Sequence, residues 1–303
     1  MLFSTLVCLI MTAAPSLKVG DHTVEINVDG QSRNYLVHIP KQPKPRTGWP
    51  VVLVFHGGGI DAARMLQFCG MNDKSDEAGF VVVYPNGSGR LKKVLTFNGG
   101  NCCGYAQRNN IDDVKFVDTL LDDLQQKLPL DKRRVYATGM SNGAIMSYLL
   151  ASKLSHRIAA IAPVAGPMGT EECSPKRAVP VCHFHGVDDR NAPFDGGIGP
   201  RSLTKTVFHS VDHSIHKWIQ ANGCRKVPTI TQMPTKTDDG TKVTRYIYGG
   251  GKHNTEVVLY KIAGGGHTWP GHSSPIKKLG VTTMNIDAND IMWDFFKRHR
   301  LGE

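Results

Sequence analysis

No stretch of this 303-residue chain is apolar for long enough to cross a bilayer as a helix. No Ser/Gly linker or low-complexity tract divides it, and no internal repeat marks a solenoid or an array. Paired Cys-x-x-Cys spacings, which would argue a structural zinc site, are missing. Aromatic residues make up only 8% of the chain. None of them interleaves with the small basic clusters KQPKPR, DKRR and KRHR, so the stacking platforms of a nucleic-acid surface are absent. The excess of 36 Lys and Arg over 26 Asp and Glu, a formal charge of +10, reads as a solvated basic surface. On an exported protein the same surface would favour an acidic polysaccharide. What remains is a globular composition of 40% hydrophobic and 20% charged residues with 32 glycines and 17 prolines, enough chain for one large α/β domain.

The opening MLFSTLVCLIMTAAPS is an apolar run of signal-peptide length that ends in small residues, although it lacks a basic n-region. Thr12 and Ala14 suit cleavage before Pro15, so residues 1–14 are expected to be a signal peptide, 15–303 the mature domain, and the protein to be secreted. Of seven cysteines, Cys8 would leave with the signal and six remain. Their connectivity is not readable from spacing. The adjacent Cys102 and Cys103 are expected not to bond to each other, and one of them is expected to reach Cys69. Cys182, inside VPVCHFHG, reads as a small core residue.

Short apolar runs rich in β-branched residues alternate with helical stretches. TVEINVDGQSRNYLVHIP alternates with period two around Asp29-Gly30, as a hairpin does. PVVLVFHG, GFVVVYP, RVYATG, IAAIAPVAG, VPVCHFHG and EVVLYKIAG are nearly continuous in apolar residues, as strands buried on both faces of a parallel sheet must be. In DDVKFVDTLLDDLQQKL, Val114, Val117, Leu120, Leu121, Leu124 and Leu128 form one helical stripe opposite carboxylates. The pattern predicts an α/β protein with a mostly parallel central sheet flanked by helices.

At residues 139–143 the chain reads GMSNG, between the strand RVYAT and the helix AIMSYLLASKL. Small residues two positions either side of Ser141 fit the sharp strand-to-helix turn that lifts a nucleophilic serine above a sheet. A serine needs a base, an orienting acid and donors for an oxyanion. In the α/β-hydrolase fold, acid and base follow the serine in that order at late strand ends. VPVCHFHGVDDRNAPF offers Asp188 and Asp189, and VVLYKIAGGGHTWPG offers His267. Upstream, VVLVFHGGGI supplies a glycine loop suited to an oxyanion hole. His183 and His185 alternate along a strand and read as strand and turn residues; His253 reads as a surface-loop residue and His272 as a neighbour of Pro270. No metal or organic cofactor is expected.

The motifs HGGG, GFVVVYPNG, FNGGNCCG, DDVKFVDTLLDDL, VYATGMSNGA, IAAIAPVAG, HGVDD and GGGHTWPG together resemble the secreted polyhydroxybutyrate depolymerase and feruloyl esterase family of α/β hydrolases, related to carbohydrate esterases acting on xylan. The resemblance runs from about Gly20 to IDANDIMWDFFKRH. It implies Ser141 as nucleophile, His267 as base, Asp189 as acid through the pattern HGxxD, and the backbones of Asn142 and Gly58 as oxyanion donors. Phe97 stands where many relatives carry tryptophan. This chain also lacks a cysteine in the segment YIYGGGKHN, which leaves Cys224 to pair with Cys173 or stay free. The implied activity is that of a serine esterase working through an acyl-enzyme, with feruloyl or acetyl esters of cell-wall polysaccharide as substrates and Phe97, Asn98 and Trp269 as substrate contacts. A polyester depolymerase is the alternative, favoured less because no adsorbing domain is expected after the last helix. A serine peptidase and a non-catalytic binding protein on the same fold are more distant readings.

Overall fold

The computed structural model describes residues 17–202, 204–274 and 276–302; the expected signal segment 1–14 lies outside the described residues. The chain opens with a hairpin, β1 (Gly20–Val28) and β2 (Gln31–Ile39), in which Val28 faces Gln31. Asp29 and Gly30 both take positive φ, 51° and 81°, the backbone of a two-residue turn matched to strand twist. Then follow β3 (Trp49–Phe55), α1 (Ala62–Cys69), α2 (Met71–Ala78), β4 (Val81–Pro85), a small ribbon of β5 (Ser88–Leu91) and β6 (Val94–Thr96), α3 (Gly104–Arg108), α4 (Asp113–Lys127), β7 (Leu130–Met140), α5 (Asn142–Lys153), β8 (Ala160–Val164) and β9 (Val181–Gly186). The last part holds α6 (Val211–Asn222), β10 (Thr229–Gln232), β11 (Lys242–Tyr248), β12 (Val257–Ala263) and α7 (Ala288–Phe296).

Ten strands form one sheet in the order β1-β2-β4-β3-β7-β8-β9-β12-β11-β10. The six inner strands from β4 to β12 run parallel, and an antiparallel pair closes each edge. Every residue of β4, β8 and β9 is buried, which is why these strands lack polar alternation. Successive side chains still serve opposite layers. Val51, Leu53 and Phe55 pack with α4, α5 and α6, while Val52 and Val54 pack with α1, α2 and α7. The expected helix is α4: Val117, Leu120, Leu121 and Leu124 are buried as the stripe requires, and Phe116 joins them. Its N-cap Asp112 accepts the Lys115 N–H at 2.8 Å, an arrangement that satisfies a donor left open by the first turn.

The cysteine expectations need correction. The sulfurs of Cys102 and Cys103 lie against each other, and Cys69 reaches neither: it is a free thiol, as are Cys173, Cys182 and Cys224. Cys69 is sealed in the layer formed with α1, α2 and α7, apart from the small cluster that Cys102 and Cys103 make with Ile145, Ala192 and Phe208. Cys224 turns its sulfur toward the Thr255 carbonyl, 3.8 Å away.

Candidate active site

Ser141 occupies the single residue between β7 and α5, with φ 58° and ψ −118°. A β-carbon-bearing residue rarely holds such a backbone unless its surroundings force it. The two glycines of GMSNG are forced by close packing rather than by left-handed φ. A β-carbon on Gly143 would lie 2.1 Å from the Phe55 carbonyl oxygen, and one on Gly139 2.6 Å from the same oxygen. The elbow thus packs backbone to backbone against the end of β3. The Ser141 N–H is spent on the Val164 carbonyl at 2.9 Å.

That close approach sets the β3 loop beside the elbow. A β-carbon on Gly58 would rest 3.7 Å from Asn142 Cβ, and Asn142 begins α5, where N–H groups have no intrahelical acceptor. The Asn142 side chain is committed to the Phe97 backbone: its amide donates to the Phe97 carbonyl at 2.9 Å and accepts the Phe97 N–H at 2.7 Å. His56 fixes the other side. Burial holds its pKa down, to about 4, so the ring is neutral, donating Nδ1–H to the Gly57 carbonyl at 2.8 Å and accepting the Gly87 N–H at Nε2, 3.0 Å.

Asp189 and His267 come from the ends of β9 and β12. Their loops interlock through glycine, since a β-carbon on Gly186 would strike the Gly265 carbonyl at 2.2 Å. His267 Nδ1 donates to Asp189 Oδ2 at 2.6 Å, and its backbone N–H is tied to the Leu279 carbonyl at 2.7 Å. Asp189 Oδ1 accepts the N–H groups of Asn191 and Ala192 at 2.8 and 2.9 Å. Burial works to raise the Asp189 pKa, but the imidazoles of His267 and His185 and the hydrogen bonds bring it far below the usual carboxylate range. Asp188, its neighbour, is exposed.

Behind Asp189 runs a chain of polar groups that the sequence reading treated as plain strand residues. His185 Nε2 donates to the Ala192 carbonyl at 2.8 Å and lies 3.4 Å from Asp189 Oδ2. With Nε2 donating to Ala192, His185 Nδ1 accepts His183 Nε2–H at 3.0 Å, and His183 Nδ1 accepts the Tyr148 hydroxyl at 2.9 Å. The His-x-His spacing, which points both side chains to one face of β9, was the available signal. A second signal was also passed over: His209 and His213, four positions apart, stand with Glu171 so that three ligand-type atoms lie within 4.8 Å of one another. Glu171 is exposed and pairs with His209 Nε2 at 3.3 Å.

Ser141, His267, Gly58 and Asn142 line one cavity of about 1390 Å³. The expected substrate contacts Phe97, Asn98 and Trp269 do not line it, and each is corrected. Phe97 is fully buried and packs edge-on against Phe55 and beside His56. Asn98 ties the loop to α4, donating its side-chain amide to the Ile111 carbonyl and its backbone N–H to Asp113. Trp269 is fully buried, and its indole donates to Asn289 of α7 at 2.9 Å. Large aromatics near the candidate motifs serve here as the walls that hold their loops.

A serine on a strained turn, a histidine sharing its cavity and a buried carboxylate on that histidine, set at the ends of parallel strands, are the layout of an α/β-hydrolase. Residues 35–217 match the family described as Esterase PHB depolymerase, and the chain belongs to that family. It is 29% identical over 286 residues to NocK of Nocardia uniformis subsp. tsuyamanensis, covering 89% of this chain and 81% of that protein. Feruloyl esterase B of Piromyces equi is 30% identical over 177 residues, which is 56% of this chain and 31% of that longer protein. Among solved structures, the acetyl xylan esterase from Aspergillus awamori superposes with a TM-score of 0.60 at 14% identity, over 91% of this chain and 99% of its own, a likeness of fold.

Proposed function

We propose that Ser141, His267 and Asp189 are the catalytic triad of a serine esterase, and that Gly58 and Asn142 supply the oxyanion N–H groups. The observation that carries this reading is Ser141, held at positive φ in the same cavity as a histidine whose Nδ1–H is fixed by buried Asp189. With Nδ1 committed to the carboxylate, the lone pair sits on Nε2. His267 takes the Ser141 proton as the oxygen attacks the ester carbonyl, and Asp189 stabilises the imidazolium. The carbonyl oxygen gathers charge against the two N–H groups. His267 then protonates the leaving alcohol, the acyl group stays on Ser141, and a water activated by the same ring releases the acid. No step calls on a metal or organic cofactor.

Feruloyl or acetyl esters of plant cell-wall polysaccharide are the proposed substrates, on the strength of relatives named for those activities. The family description favours a second reading, cleavage of polyhydroxybutyrate. We take residues 1–14 as a signal peptide, 15–303 as the esterase domain and the enzyme as exported; among the described residues no helix is long and apolar enough to cross a membrane. Ser141→Ala should fold normally and lose on the order of 10⁴-fold or more in ester turnover. Turnover within about tenfold of wild type in a purified, contaminant-free variant would remove the assignment. The same preparation, offered methyl ferulate, acetylated xylo-oligosaccharide and amorphous polyhydroxybutyrate, separates the two substrate readings.

A further inference from the structure

The wall of the cavity beside Ser141 carries five cationic side chains, Arg90, Arg108, Arg201, Lys205 and Lys278, and among the described residues no carboxylate. They come from separate stretches of chain: Arg90 from β5, Arg108 from the end of α3, Arg201 and Lys205 from the segment between β9 and α6, and Lys278 from the loop that follows His267. Several exposed cations on other faces do have acid partners, as Lys41 has Asp76, Lys115 Asp29 and Lys297 Asp294. At the cavity, Arg201 donates to the Lys278 carbonyl, and among the described residues Arg90, Arg108, Lys205 and Lys278 have no side-chain partner. Like charges gathered in one concavity repel each other and stabilise nothing in the folded chain. An anion entering the cavity would meet all five of them and no competing carboxylate. Between them the wall is apolar, with Leu91, Val94 and Ile276 at 65%, 50% and 50% exposure.

From this we infer that the cleft selects esters bearing a carboxylate, with an apolar acyl or alcohol portion near the serine and the anionic group reaching the cationic wall. The inference rests on the esterase reading above and names its substrate class. A single exposed cation contributes little. Several of one sign in a concave, low-dielectric wall focus the field and raise the local concentration of an anion by tenfold or more. Such a carboxylate has two natural sources: a uronic acid in the polysaccharide that carries the ester, or the free end of a hydroxyacid oligoester.

The test compares 4-nitrophenyl hexanoate with mono-4-nitrophenyl adipate, which differ by one terminal carboxylate. At low ionic strength kcat/KM should favour the adipate by about tenfold or more, and the ratio should fall toward one in about 1 M NaCl, where screening acts within about 3 Å. Arg90→Gln/Arg108→Gln should lower the ratio by about tenfold, and Lys205→Gln/Lys278→Gln provides an independent pair. An adipate ratio at or below one in low salt, or a ratio that neither salt nor either pair moves, overturns the inference. Loss of both turnovers in the wild type would instead remove the esterase reading beneath it. The sources are separated by an acetylated uronate oligosaccharide and a 3-hydroxybutyrate trimer, each against its carboxamide. Faster cleavage of either free acid supports the proposal, and indifference of both overturns it.

Discussion

Two adjacent aspartates illustrate what a single position decides. Asp188 is exposed, whereas Asp189 is buried with both oxygens engaged, one by His267 and the other by the backbone N–H groups of Asn191 and Ala192. The order of motifs predicts one carboxylate here, and the spacing of the HGxxD pattern selects the second. Which of the two turns inward is a matter of loop backbone, which leaves no trace in residue type. Asp189→Asn should reduce kcat on the order of 10³ to 10⁴-fold, because an amide cannot hold the histidine in the same tautomer. Asp188→Asn should stay within about twofold, as surface substitutions do. Equal losses in a side-by-side assay, or the reverse ranking, would move the acid. The convergence of Ser141, His267 and Asp189 on one cavity edge was legible because strand ends and motif order constrain them together. The His183, His185 and Tyr148 chain was not, because its meaning depends on β9 lying across from α5, a tertiary fact.

Among secondary-structure elements, the inner strands were readable because burial on both faces demands unbroken apolar residues. The strands that escaped notice are β5, β6, β10 and β11, whose exposed and half-buried residues give short mixed runs of weak period. The aromatic errors share one cause: Phe97 and Trp269 flank the motifs of the candidate site, and sequence does not tell a wall that holds a loop from a wall that lines a cavity. The glycines of the elbow, by contrast, make a sharp claim. Alanine is a better helix former than glycine by about 1 kcal/mol, so Gly143→Ala at the start of α5 would stabilise if propensity decided. The new β-carbon would fall 2.1 Å from a backbone carbonyl that belongs to β3, and moving a central strand costs more than propensity returns. Gly143→Ala is therefore expected to lower stability by about 1–3 kcal/mol and to depress turnover with it. Gly249→Ala, whose β-carbon would meet only the far end of Arg225 at 3.7 Å, should stay within about 0.5 kcal/mol. Urea titrations of the two variants check this, and an unchanged midpoint for Gly143→Ala would sink it.

For the whole molecule, the α/β class and one central sheet followed from composition and alternation, while the isolation of Cys69 did not, because it depends on which layer α1 packs into. The molecule also seals two histidines in the neutral form. Burial lowers His56, and burial together with the neighbouring His185 lowers His183 well below the ordinary value. In the unfolded chain both rings bind a proton near pH 6.5. Below that pH the unfolded state therefore holds more protons than the folded state, and stability falls as pH falls. The contribution is complete above about 6.5 and is lost at up to about 1.4 kcal/mol per pH unit for each ring on the way down, until the folded ring itself titrates. Asp189 acts in a different window. Its lowered folded pKa supplies stability above the ordinary carboxylate range near 3.9 that disappears only as pH drops below it. Acid sensitivity between pH 6.5 and 4.5 is thus a histidine property of the buried site. Unfolding free energies from urea titrations should fall by about 2 kcal/mol per pH unit on average across that range. His56→Gln and His183→Gln should each make the slope shallower by about half, even as they lower the plateau by disturbing the hydrogen bonds to Gly57, Gly87 and Tyr148. A wild-type stability that is flat from pH 6.5 to 4.5, or variants that keep the full slope, would show that these rings do not carry the linkage.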